Sequence, residues 1–182
     1  DKLDIEGKEV LVDTIKGENT RIKAEHLKSQ TVESTNLAVN GKDIEVGTVT
    51  GTTVGIDGTK ATLETIKAKD TTIRVDNLTV KDILSDKLDI EGKEVLVDTI
   101  KGENTRIKAE HLKSQKVEST NLAVNGKDIE VGTVTGTTVG IDGTKATLET
   151  IKAKDTTIRV DNLTVKDILS DKLDIEGKEV TC

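Results

Sequence analysis

The 182 residues carry 27 Lys and Arg against 34 Asp and Glu, a formal net charge of −7, and include no Phe, Trp, Tyr, Met or Pro. Without aromatics the chain is poorly equipped for the thick core of an ordinary globule of this length, whereas a thin aliphatic core suits it. The mild acidity, with no basic block, disfavours nucleic acid as a partner, and no apolar run is long enough for membrane insertion as a span.

Residues 1–85 and 86–170 are the same sequence except for Thr31 against Lys116. Residues 171–180 begin a third copy, which departs into Thr181-Cys182. Near-identity over this length implies a very recent duplication, deliberate construction, or a window cut from a longer array. The start at Asp1 fits a fragment or a processed form. The whole chain, 1–182, reads as a single domain.

A shorter period runs beneath the long one. Five units of seventeen follow one another at 2–18, 19–35, 36–52, 53–69 and 70–86, and the set restarts at Lys87. In the first unit, Leu3 and Ile5, then Val10 and Val12, then Ile15 and Gly17 mark three alternating pairs. The later units repeat them, for example Leu37/Val39, Ile44/Val46 and Val49/Gly51. Period-two alternation predicts three short strands per unit, each with one face inward. The last position of the third pair is always small: Gly17, Ser34, Gly51, Ala68 and Ser85. Between the first and second pairs, Gly7, Gly41 and Gly58 share a column that suits a positive-φ bend. Ala24 and Val75 stand in the same column. One conformation common to all five units therefore favours a solenoid corner over a tight hairpin.

Three strands, three corners and aliphatic inward positions describe one rung of a triangular parallel β-solenoid, all-β, with about ten to eleven 17-residue rungs. The regular alternation argues against disorder, which 34% charged residues could otherwise suggest. Charges provide a test. If rungs stack in register, residues seventeen apart are neighbours, and opposite charges there help while like charges cost. Over one 85-residue period, opposite-charge pairs number fourteen, among them Asp4–Arg21, Lys16–Glu33, Asp70–Lys87 and Arg74–Glu91. Like-charge pairs number one, Asp86–Glu103. This pattern expects each unit to lie on the next unit of the same chain, and it disfavours an intertwined trimer. No cap is evident at either end, so the open strand edges expect end-to-end self-association.

Few residues suggest chemistry. His26 and His111 occupy equivalent positions in the two copies, far apart on the rod, so a metal site is not expected. Most acidic residues face a basic neighbour one rung away, which is a salt-bridge ladder rather than a catalytic carboxylate pair. No phosphate-cradling or nucleophile motif is present, so neither cofactor nor catalytic residue is expected. Asn77-Leu78-Thr79 and Asn162-Leu163-Thr164 match the N-glycosylation pattern. Thr14, Thr31, Thr48 and Thr65 form an outward threonine rank of the kind that orders water on ice-binding solenoids, but Lys116 interrupts it in the second copy. Cys182 has no partner cysteine in the chain; it is either a free thiol or a handle for an intermolecular disulfide or conjugation.

The stack of 17-residue aliphatic rungs without a cofactor motif resembles the bactofilins, cytoskeletal proteins whose triangular β-solenoids polymerise end to end without nucleotide. The cadence of "NLAVNGKDI" (36–44) also resembles shaft repeats of phage and bacterial fibres. Either resemblance implies a structural, non-enzymatic role, as a filament subunit or fibre shaft, and neither supplies a site residue. A cytoplasmic filament and an extracellular fibre both fit.

Overall fold

Alternation along the chain requires a partner for every inward face, and the chain supplies it from its own next turn. The computed structural model describes residues 2–182 and shows a parallel β-solenoid of stacked coils. Extended backbone runs through three elements, β1 (Lys2–Thr135), β2 (Thr138–Glu176) and β3 (Glu179–Thr181). They pair in parallel in the order β1-β2-β3. The register is seventeen: Asn121 pairs with Thr138, Ile129 with Ala146, and Leu163 with Val180. A parallel ladder between successive turns of one chain is the arrangement that the opposite-charge spacing implied.

The strand-to-strand ladder runs from Asn121 to Thr181, about four turns, and not over the ten to eleven rungs expected from length. The backbone of β1 stays extended around its corners. Its neighbours seventeen apart therefore lie within one element, and pairing between elements begins only near its end.

Within coil 121–137 the paired stretches are 121–126, 128–131 and 133–135. Lys127 and Gly132 fall between them, at the breaks. Three straight runs thus make up one coil. Inward positions alternate as expected: Leu122, Val124, Ile129, Val131 and Val134 are buried, with exposed or half-buried residues between them. The core is one continuous aliphatic cluster from Ile15 to Val165. Its largest fully buried side chains are nearly all isoleucine, whose branched shape fills the pleat between coils.

The glycine column behaves differently from expectation. No residue, glycine included, has positive φ among those described. Gly126 is paired with Gly143, so the first strand continues through this column instead of bending at it. Ala24, Val75 and Val160 in the same column are buried. The column is a third inward position, giving Leu37-x-Val39-x-Gly41. Gly41 is small for a packing reason: a Cβ there would collide with the Ala24 carbonyl of the preceding coil. Glycine lets the two backbones approach at this edge of the core.

Candidate functional site

The surface features worth testing for function are ladders, because each exposed residue has an equivalent neighbour one coil away. The Arg members of the charge ladder close with good geometry. Arg21 Nη1 donates to Asp4 Oδ1 at 3.2 Å, and the second copy repeats this as Arg106 to Asp89 at 2.9 Å. Lys16 Nζ lies 3.6 Å from Glu33, and Lys101 lies 3.8 Å from Glu118. Arg74 clasps two acids of the next coil, with Nη2 at 3.2 Å from Asp89 Oδ2 and Nε at 3.3 Å from Glu91 Oε1. Arg159 repeats the clasp on Asp174 at 3.0 Å and Glu176 at 3.3 Å. The hydrogen bond to Asp174 holds the Arg159 guanidinium above its ordinary pKa. The seventeen-residue contacts to Glu91 and Glu176 follow from the spacing. The fifteen-residue diagonals to Asp89 and Asp174 do not, because they depend on how far a guanidinium reaches along the neighbouring strand.

Two polar ladders carry no signal in a charge count. Asn36 Nδ2 donates to Asn19 Oδ1 at 2.7 Å, and Asn121 donates to Asn104 at 2.8 Å, each one coil apart. At the small-residue corner, the buried Ser34 hydroxyl lies 3.1 Å from the Glu18 carbonyl of the coil before and 3.0 Å from the Asn36 carbonyl. Ser85 makes the same contacts to Lys69 at 3.2 Å and Lys87 at 2.7 Å. A serine suits this corner because its hydroxyl can serve carbonyls that the turning backbone leaves without a ladder partner. Recurrence of Ser at every second or third unit was the available sequence signal.

Inside the core three hydroxyls stand out. Thr71, Thr105 and Thr156 are buried in the column otherwise filled by Leu and Val, and their Oγ1 atoms have no hydrogen-bond partner. Thr20, in the same column, accepts a hydrogen bond from Ser34 Oγ at 2.9 Å.

The histidines do not converge with other ligands. His26 is exposed, with Nδ1 4.0 Å from Asp43 Oδ2, and His111 is exposed on its own coil. Among the described residues no group of three or more His, Cys, Asp or Glu is placed to hold a metal. The threonine rank faces outward: Thr14 is exposed, and Thr31, Thr48 and Thr65 are half-buried beside the core. Lys116 is exposed in place of the half-buried Thr31, and nothing in the structure explains the difference. Asn77, Asn162 and Cys182 are exposed. No described helix is long and apolar enough to cross a membrane.

The depressions in the surface follow the coils. One groove runs past Asp70, Lys87, Asn104 and Asn121, a single column over four turns. Comparison with protein-family descriptions, with curated proteins and with solved structures finds no match. No family or relative therefore names bactofilins or fibre shafts for this chain, and what is shown is the parallel β-solenoid.

Proposed function

We propose that this chain is a structural rod: a β-solenoid of ten to eleven rungs that serves as a filament subunit or a length of fibre shaft, without catalysis. The observation that carries this reading is the seventeen-residue neighbour relation, found along the chain and not only in the four-turn ladder. It recurs at Asp4–Arg21, Asn19–Asn36, Arg74–Glu91 and Lys101–Glu118. The same inward columns stay buried from Ile22 through Ile158. Ten to eleven coils at about 4.8 Å each make a rod about 50 Å long. Units of equal length leave no loop to close over a substrate, which supports a mechanical rather than enzymatic role.

Small-angle scattering with mass photometry, in reductant, tests the reading. A rod about 50 Å long per chain, alone or joined lengthwise, is expected. A compact globule would overturn it. A trimer with chains alternating along the axis would replace it with the intertwined shaft. Thermal hysteresis in freezing solutions would favour an ice-binding surface instead.

A further inference from the structure

We infer that one flank of the solenoid, the outward face of the second strand of each coil, docks on the same face of a second copy of this chain, with the two rods antiparallel. The inference rests on the rod reading above, because it uses coils on both sides of Asn77. It concerns the side of the rod and is independent of strand addition along its axis.

The face consists of two outward columns flanking the buried column that holds Leu27, Ile44, Ala61, Leu78 and Val95. In coil order the first column reads Glu9, His26, Asp43, Lys60 and Asn77, and the second reads Leu11, Lys28, Glu45, Thr62 and Thr79. Both series then repeat from Glu94 and Leu96. All of these residues are exposed except Asp43, Asp128 and Thr147, which are half-buried. A shallow depression follows the face past Lys60, Glu94, Leu96 and Lys113. Leu96 is 42% exposed there, in the middle of the chain, and covering a leucine of this kind is favourable.

A half-turn about an axis along the Asn77–Thr79 strand sets each column against itself in reverse coil order. Glu9 then meets Lys145 of the second copy, His26 meets Asp128, Asp43 meets His111, and Lys60 meets Glu94. In the second column Lys28 meets Glu130, Glu45 meets Lys113, and Leu96 lies over Thr62. Asn77 and Thr79 meet their own copies, and an amide or a hydroxyl can both donate and accept there. Between Glu9 and Thr147 every charged residue of the two columns faces an opposite charge or a histidine, and no like charges meet. The facing partners are two or more coils apart within one chain, so the stacking of successive coils does not require this match.

The alternatives are penalised. Every other antiparallel register opposes Glu9 with Glu, Lys28 with Lys, Glu45 with Glu, or Lys60 with Lys. Two parallel rods in register would set Asp43 against Glu45 in every repeat. Complementarity confined to one arrangement fixes orientation and register. The match recurs about Asn162, since it depends on the order of the coils and not on where the chain begins or ends. Nine coils of about 4.8 Å, each presenting a strand about 13 Å wide, cover roughly 560 Å² per chain, the scale of a weak and reversible contact.

The test is analytical ultracentrifugation with small-angle scattering at tens of micromolar protein, in reductant and low salt. The unaltered chain should pair reversibly, giving a particle thicker than one rod but little longer than about 50 Å. Lys28→Glu/Lys113→Glu and Glu45→Lys/Glu130→Lys should each weaken pairing at least tenfold. An equimolar mixture of these two variants should regain it, because each altered residue then meets an opposite charge on the other chain. That rescue separates the lateral contact from any loss of stability within a coil. Asn77→Asp/Asn162→Asp, which leaves the lysines and glutamates intact, should also weaken pairing by setting carboxylates against each other at the axis. Leu84→Ala, at an exposed leucine of another face, should leave pairing unchanged. An unaltered chain that stays single or joins only lengthwise would overturn the inference, and so would variants that pair as well as the original or a mixture that does not recover. Scattering keeps the two readings apart: a rod about 50 Å long that never pairs loses only the docking face, whereas a particle of another shape loses the rod.

Discussion

One ten-residue sequence, DKLDIEGKEV, occurs at 1–10, 86–95 and 171–180, in three different environments. In the middle of the chain Leu88, Ile90 and Val95 are 3%, 0% and 2% exposed. At the start Leu3, Ile5 and Val10 are only partly buried, and at the end Leu173 and Val180 are nearly half exposed. Local sequence is constant across the three, so the difference comes entirely from how many coils lie against each. A rung in this protein has no core of its own. Its burial is a property of its two neighbours, as in other solenoids.

The sharpest test of that comparison uses a single isoleucine column. Ile90→Ala should destabilise by about 2–5 kcal/mol, the range for a large side chain removed from a closed core. Ile175→Ala should cost under about 1 kcal/mol, because water already reaches the site. Urea unfolding, combined with amide hydrogen exchange to localise the effect, would check both. Equal losses at the two positions would break the comparison and imply that the terminal segment is covered.

A smaller effect lies inside the core. Thr71→Val replaces an unpartnered buried hydroxyl with a methyl group of similar size and should stabilise by about 1 kcal/mol or more. Thr20→Val should gain less, since it removes the acceptor of the Ser34 hydroxyl. Thermal melts of the two variants compare a satisfied threonine with an unsatisfied one in the same column. Equal gains would show that the Thr20–Ser34 contact adds nothing.

The smallest effects are expected at the surface clasps. Arg74→Ala should cost at most about 1 kcal/mol, and less in high salt. Its partners Asp89 and Glu91 are more sheltered than Asp174 and Glu176, the partners of Arg159. Arg159→Ala should accordingly leave global stability unchanged and should speed amide exchange only within 172–181. A global loss from the Arg159 change would mean that segment 172–181 supports the whole solenoid.

Much of the architecture is legible in the amino-acid sequence. The seventeen-residue period was set by hydrophobic columns such as Ile5/Ile22/Val39, and the parallel stacking by opposite charges one period apart. Both survive into structure because a repeated unit imposes the same environment on every equivalent residue. The glycine column reads as a bend because glycine is the commonest turn residue and three of five units carry it, yet the strand continues through it. Ala24 and Val75 held the better signal: a column that accepts valine is an extended, inward one. The Ser corner, the Asn ladder and the diagonal reach of Arg74 stayed hidden because neutral hydrogen bonds leave no charge pattern.

The amino-acid sequence alone therefore determined the period, most of the inward columns and the seventeen-residue relation between surface charges, since these follow from alternation and repetition. Only the tertiary structure decided which copies of a column are dry, where the strands break, and why Gly41 is small. Those depend on the distance between successive backbones and on whether a coil has a neighbour on both sides, and identical sequences differ in that.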